Sequence, residues 1–237
     1  MRLVALIAAN FLRQHRWPVM LLFAYIVLTA AAASGGGRGR PEAVDVVFFV
    51  EQQALFICLF SAFLAADAIH GERKSRRILL LLSKAISRAE YLLAIISAVW
   101  AVAITYAVVS ALCGVWLTAR AMLASENLWP MMLLTMAAAL IAGSVAMFFS
   151  TFLNPYLATA CTLAVFCFPA AWPPALRHHA AACWPGFPLL VQFISFSFRP
   201  EWAPNWRTVV AAVVESIGFW VLAAAVFNRR DIAVPVE

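Results

Sequence analysis

Three groups of side chains in this sequence have the types and spacing to do chemistry. The first is a set of polar residues inside long apolar runs: Glu51 with Gln52 and Gln53, and Glu215. An ionisable group in a membrane-length apolar segment is a functional candidate by default, because burying it in lipid is costly. Two readings stand: a polar patch lining a translocation path, or groups hydrogen-bonded to neighbouring helices that fix packing. The second group is His178-His179 with Cys161, Cys167 and Cys183, a conceivable metal site. Adjacent histidines on a proline-rich stretch lack the spacing of dedicated metal ligands, so they read as loop residues facing solvent. The third group is Ser144 and Lys74-Ser75. Ser144 has no G-x-S-x-G context and no assignable base, and Lys74-Ser75 lacks the glycine-rich run of a phosphate-binding loop. Neither a serine nucleophile nor a nucleotide-binding loop is indicated.

The elements that must position these residues follow from composition. Of 237 residues, 65% are hydrophobic and 12% charged. Soluble domains carry roughly a quarter charged residues, so water cannot be the solvent for most of this surface. At about 20 residues per helical crossing, the length allows roughly six spans and no large soluble domain. The five cysteines show no paired spacing that would mark a disulfide framework or a zinc site. The net charge of +6 reads as the retention signal of cytoplasmic loops, not as a nucleic-acid surface.

Hydropathy divides the chain, read as one transmembrane domain over 1–237, into an all-α integral membrane protein. Residues 1–16 form an amphipathic interfacial helix with Leu3, Leu6, Ile7 and Phe11 on one face. Spans are expected at 17–34, 43–66, 91–118, 128–153, 156–171 and 207–227, with Asn154-Pro155 as a tight turn between the fourth and fifth. The connection 172–206 is rich in proline, and its apolar piece from Leu189 to Phe198 is about half the length of a crossing. It is expected to be re-entrant or interfacial. Six spans place both termini on one side. That side collects eleven Lys and Arg residues against six on the other, so the positive-inside rule makes both termini cytoplasmic.

Six of those eleven basic residues, Arg73, Lys74, Arg76, Arg77, Lys84 and Arg88, lie in the connection between the second and third spans. There the chain is charged, then apolar from Ile78 through Leu79, Leu80, Leu81 and Leu82, then charged again. Five consecutive apolar residues outside the bilayer must be buried against something, and the chain offers no soluble domain to do it. A cytoplasmic protein partner fits; a helix half sunk among lipid headgroups is the competing reading.

This segment resembles the cytoplasmic signature of ABC-2 type permeases, the membrane subunits of type V ABC exporters. Asp67, Glu72-Arg73, Leu79 to Leu82, Ser83-Lys84, Ile86-Ser87-Arg88 and Glu90-Tyr91 match the family pattern in order. Phe227-Asn228-Arg229-Arg230-Asp231 resembles its C-terminal ending. The six helices, the N-terminal amphipathic helix and the interrupted segment before the last helix also correspond. The sequence departs from the pattern at Ser75-Arg76-Arg77, where a Ser-Gly-Thr turn is usual, and at Ala85, where a proline is usual. The Gly and Lys that normally follow soon after the tyrosine are missing between Leu92 and Ile96.

The resemblance implies a division of labour. This chain would be half of a membrane dimer, formed with a second copy or a paralogue. Residues 67–90 would be the coupling segment that docks on a separate ATPase subunit, itself dimeric, which would carry ATP and Mg. The ATPase-coupling residues implied are Asp67, Glu72, Arg73, Lys74, Arg76, Arg77, Leu79, Leu80, Leu81, Leu82, Ser83, Lys84, Arg88 and Glu90. The chain itself would hold no catalytic site, no metal and no cofactor, would bind no nucleic acid, and would sit among lipids of a bacterial plasma (inner) membrane. The alternative from another class is a non-transporting scaffold or cofactor-handling protein that docks its partner through the same segment.

Overall fold

The computed structural model describes residues 2–34, 39–74, 87–173, 184–199 and 201–229. Among them the regular structure is helical throughout: α1 (Arg2–Gln14), α2 (Arg16–Ala33), α3 (Ala43–Lys74), α4 (Arg88–Ala121), α5 (Leu128–Ser150), α6 (Pro155–Cys167), α7 (Phe187–Ile194) and α8 (Trp206–Arg229), with a 3-10 turn at Phe168–Ala171 after α6. Five of these, α2, α3, α4, α5 and α8, are long and apolar enough to cross a membrane. The chain is a multi-spanning membrane protein.

The fifth expected crossing, 156–171, corresponds to Pro155–Ala171, which is apolar and shorter than the five long helices. Its end is set by Pro169, which has no N–H to give to the carbonyl four residues back and so ends the α-helical ladder. The carbonyl it leaves free belongs to Val165, and the Trp184 indole N–H donates to it at 2.6 Å.

The helix ends follow local chemistry. At the start of α4, Ser87 and Glu90 form a reciprocal capping box: the Ser87 hydroxyl oxygen accepts from the Glu90 N–H, and the Glu90 carboxylate accepts from the Ser87 N–H at 3.0 Å. The Asn154 side chain accepts from the Leu157 N–H at 2.8 Å, with Pro155 in the first turn of α6, an N-terminus built from residues suited to it. With 32 residues, α3 is about 48 Å long, well beyond the roughly 30 Å of a hydrocarbon core. The second span was expected to end near residue 66, but the helix continues through Asp67 to Lys74. Loss of hydropathy marks where a helix leaves lipid, not where it stops, and 67–74 contains no proline to end it.

At the centre lies α5, packed against α3, α8, α4 and α6. It is apolar on every side, as a helix enclosed by others must be. Gly143 permits a close approach of α5 to α4 and α3: a Cβ there would lie 3.2 Å from Ile96 Cδ1, 3.4 Å from Val99 Cγ1 and 3.7 Å from the Ser61 carbonyl. Peripheral helices are less enclosed. α2 buries only the stripe Leu22, Ile26 and Ala30, while Leu21, Val27 and Leu28 are exposed. On α8, Val210, Val214 and Ile217 are exposed as well, surface suited to lipid or another apolar face. The amphipathic α1 packs against α4 with Ile7 and Phe11 buried, but Leu6, expected on the same face, is exposed.

Candidate functional site

Two regions hold the side chains that the sequence singles out. One is the end of the bundle that carries the α3–α4 connection. Asp67, seven residues before the end of α3, pairs with His15 at the α1–α2 junction, Nε2 to Oδ2, at 3.3 Å. The other imidazole nitrogen, Nδ1, lies 3.0 Å from the Phe11 carbonyl at the end of α1, and the His15 and Phe11 rings sit 4.2 Å apart. On the far side of the connection, Arg88 reaches the last turn of α8. Its guanidinium donates to the Phe227 carbonyl at 2.5 Å and to the Asn228 carbonyl at 3.2 Å, and it lies over the Phe227 ring. A cation on the final carbonyls of a helix satisfies groups that have no intrahelical donor and complements the dipole there.

The boundaries of the 67–90 segment are thus tied to both ends of the chain, Asp67 to the N-terminal helices and Arg88 to the last one. Glu90 is spent locally in its capping box. Glu72, Arg73 and Lys74 fall on the last turn of α3. Arg76, Arg77, Leu79, Leu80, Leu81, Leu82, Ser83 and Lys84 lie outside the described residues.

The second region is the polar content of the spans. Successive helical residues point about 100° apart, so Glu51, Gln52 and Gln53 face three directions. Gln53 is fully buried. Its amide donates to the Thr29 hydroxyl oxygen at 2.9 Å, and its carbonyl oxygen accepts from the Tyr106 hydroxyl. Thr29 in turn donates to the Tyr25 carbonyl at 2.8 Å. Gln52 accepts from the Tyr25 hydroxyl at 2.7 Å, and the Tyr25 ring stacks on Phe56 at 4.0 Å. These contacts make a polar clasp joining α2, α3 and α4, where a hydrogen bond replaces a group otherwise unsatisfied in an apolar interior. Glu51 is half-buried and lies outside the clasp.

Glu215 stands apart from these three. It lies in a cleft of about 270 Å³ between α7 and α8, bordered by Gly186, Asn205, Arg207 and Thr208, with its carboxylate facing the Gly186 amide. Thus the structure does not gather the four polar span residues onto one surface of the single chain. Sequence reasoning missed Tyr25, Thr29 and Tyr106, whose signal was a set of hydroxyl side chains in spans neighbouring a buried glutamine. It also missed His15 and Trp184.

As for the other candidates, the Ser144 hydroxyl donates back to the Leu140 carbonyl of its own helix at 3.0 Å. His178, His179 and Cys183 lie outside the described residues. Among the described residues, no group of three or more His, Cys, Asp or Glu side chains is placed to hold a metal ion.

No curated protein matches the chain. The family model of the ABC-2 family transporter proteins matches residues 9–196, from α1 to beyond α7, so this chain belongs to the ABC-2 family of membrane transporter proteins.

Proposed function

We propose that the chain is the permease subunit of an ATP-driven exporter, working as a dimer with a second copy or a paralogue and driven by a separate ATPase subunit that binds residues 67–90. The observation that carries this reading is the double tether of that segment: Asp67 to His15 at 3.3 Å and Arg88 to the end of α8 at 3.2 Å. A push delivered to the 67–90 connection by a closing ATPase would reach the first and last helices directly, and also the long, continuous α3 and α4. ATP and Mg would reside on the partner. Glu51, Gln52, Gln53 and Glu215 are the candidate path residues between the two membrane subunits. Within that path Gln53 would act by holding α2 against α3 and α4, since its amide is already engaged there. The membrane would be a bacterial plasma membrane, with both termini cytoplasmic by the distribution of Lys and Arg.

The test is gentle affinity purification of the tagged chain from its native membrane beside a variant with Leu79, Leu80, Leu81 and Leu82 replaced by serine. A P-loop ATPase recovered with the native chain and lost from the variant is the expected result. Consistent absence of any ATPase under mild conditions would overturn the reading in favour of a scaffold.

A further inference from the structure

Glu215 occupies the middle of α8, an apolar helix, with Val214 and Ile217 beside it exposed at 63% and 57%. Among the described residues, no Lys, Arg or His side chain is paired with Glu215. One peptide N–H, that of Gly186, faces its carboxylate. A single dipole offsets only part of the cost of a carboxylate at membrane depth. The nearest arginine along α8, Arg207, lies eight residues earlier, about 12 Å along the axis and roughly 80° around it. It borders the same cleft without pairing with the acid.

The cleft is built, not left over from loose packing. Gly186 adopts φ +71, and a Cβ there would lie 2.7 Å from the Phe166 ring, so the turn is wedged against α6 in a conformation that favours glycine. Trp184, two residues earlier, is fixed to the Val165 carbonyl at 2.6 Å. On the other rim, the Gln192 side chain accepts from the Asn205 N–H at 2.8 Å and donates to the Thr208 hydroxyl. This joins α7 to the start of α8. The walls near the acid are apolar or small, from Pro188, Leu189, Ala211 and Ala212. A carboxylate at one end, hydrocarbon walls along the side and a guanidinium at the other end make a slot for a cation carried on an apolar stem.

We propose that this cleft binds the ammonium group of an amphiphile, with Glu215 as its counter-ion and Arg207 available to an acidic group on the same ligand. The ammonium has two possible sources, a free amphiphilic amine or an aminophospholipid headgroup. That the bound amphiphile is cargo rests on the path reading above; that it binds does not.

The test uses the full chain purified in a maltoside detergent and native mass spectrometry, titrating dodecylammonium, dodecanol or lysophosphatidylethanolamine. One saturable dodecylammonium or lysophosphatidylethanolamine per chain is expected, with dodecanol showing none. Glu215→Gln weakens that binding tenfold or more, and Glu215→Asp retains most of it. Lysophosphatidylethanolamine binding more tightly than dodecylammonium, and losing that advantage in Arg207→Gln, identifies a lipid headgroup. Dodecylammonium binding that is tighter and indifferent to Arg207→Gln identifies a free amine. Equal binding to the native chain and Glu215→Gln, or dodecanol binding as well as dodecylammonium, overturns the proposal. Adding dodecylammonium to the complex with its ATPase separates the two readings. Binding that needs Glu215 but leaves ATP hydrolysis unchanged removes the path reading and keeps the site. Stimulation retained by Glu215→Gln, together with unaltered binding, removes the site and leaves the path reading standing.

Discussion

The Arg88 guanidinium donates to the backbone carbonyl of Asn228 at 3.2 Å, across 140 positions of sequence. It joins the first residue of α4 to the end of α8, and in doing so gives a residue of the proposed coupling segment an intramolecular task. Arg88 spends its planar donor fork on two consecutive carbonyls, Phe227 and Asn228, and its face on the Phe227 ring. A lysine cannot reproduce this arrangement, because an ammonium is a point donor without a stacking face.

Replacement of Arg88 should therefore uncouple more than it unfolds. Arg88→Gln is expected to cost about 1 kcal/mol of stability, since the contact is only partly shielded from solvent. In the reconstituted complex the ATPase should still be captured, while substrate-stimulated hydrolysis falls several-fold. Arg88→Lys should restore little of it. Measuring ATPase capture and hydrolysis on the same preparation checks both halves; loss of capture with intact thermal stability would make Arg88 a docking residue instead.

The clasp around Gln53 predicts a stability effect with a coupling signature. Gln53→Leu leaves the Tyr106 hydroxyl and the Thr29 oxygen without their partner, at a cost of roughly 1 kcal/mol. Tyr106→Phe alone should cost a similar amount. The double variant should cost clearly less than the sum, because the second change removes a group that the first had already orphaned. Thermal unfolding of the four proteins in detergent reads the cycle. Additive losses would show that the two side chains do not act together.

Gly186 supplies a test of the outer turn. Gly186→Ala must place a Cβ 2.7 Å from the Phe166 ring at φ +71, with an expected penalty of about 1–3 kcal/mol. Phe166→Leu in the same chain should recover part of it by making room, but not all, since the backbone strain remains. Protease susceptibility between α6 and α7 is the measurement. Full recovery in the double variant would mean that the clash alone, not the backbone conformation, requires glycine.

The His15–Asp67 pair, at 3.3 Å and partly exposed, should contribute little to global stability, within about 1 kcal/mol. Asp67→Asn is expected to leave unfolding nearly unchanged but to speed amide exchange in α1, which loses its tie to α3. If exchange in α1 stays at the native rate, packing of Ile7 and Phe11 on α4 holds that helix without the pair.

Sequence alone determined the solvent and the long helices. Hydropathy along 43–66 or 128–153 is summed over one segment at a time, so it was legible. The helix ends were not: the third span was expected from 91, but the Ser87–Glu90 cap starts α4 at Arg88, because a cap acts through hydrogen bonds that hydropathy does not register. The 67–90 motif was legible, as consecutive residues of one segment. Tertiary structure alone decided which polar groups meet. Nothing near Arg88 specifies that its carbonyl acceptors come from Phe227 and Asn228. Nothing near Gln53 names Thr29 and Tyr106, and nothing near Pro169 says that Trp184 will satisfy Val165. A helix's apolar face shows that it must be buried, but not against which neighbour. Polar pairing inside the bundle depends on that choice, because a donor and an acceptor must come within about 3 Å, and only the packing of α2, α3, α4, α6 and α8 around α5 brings them there.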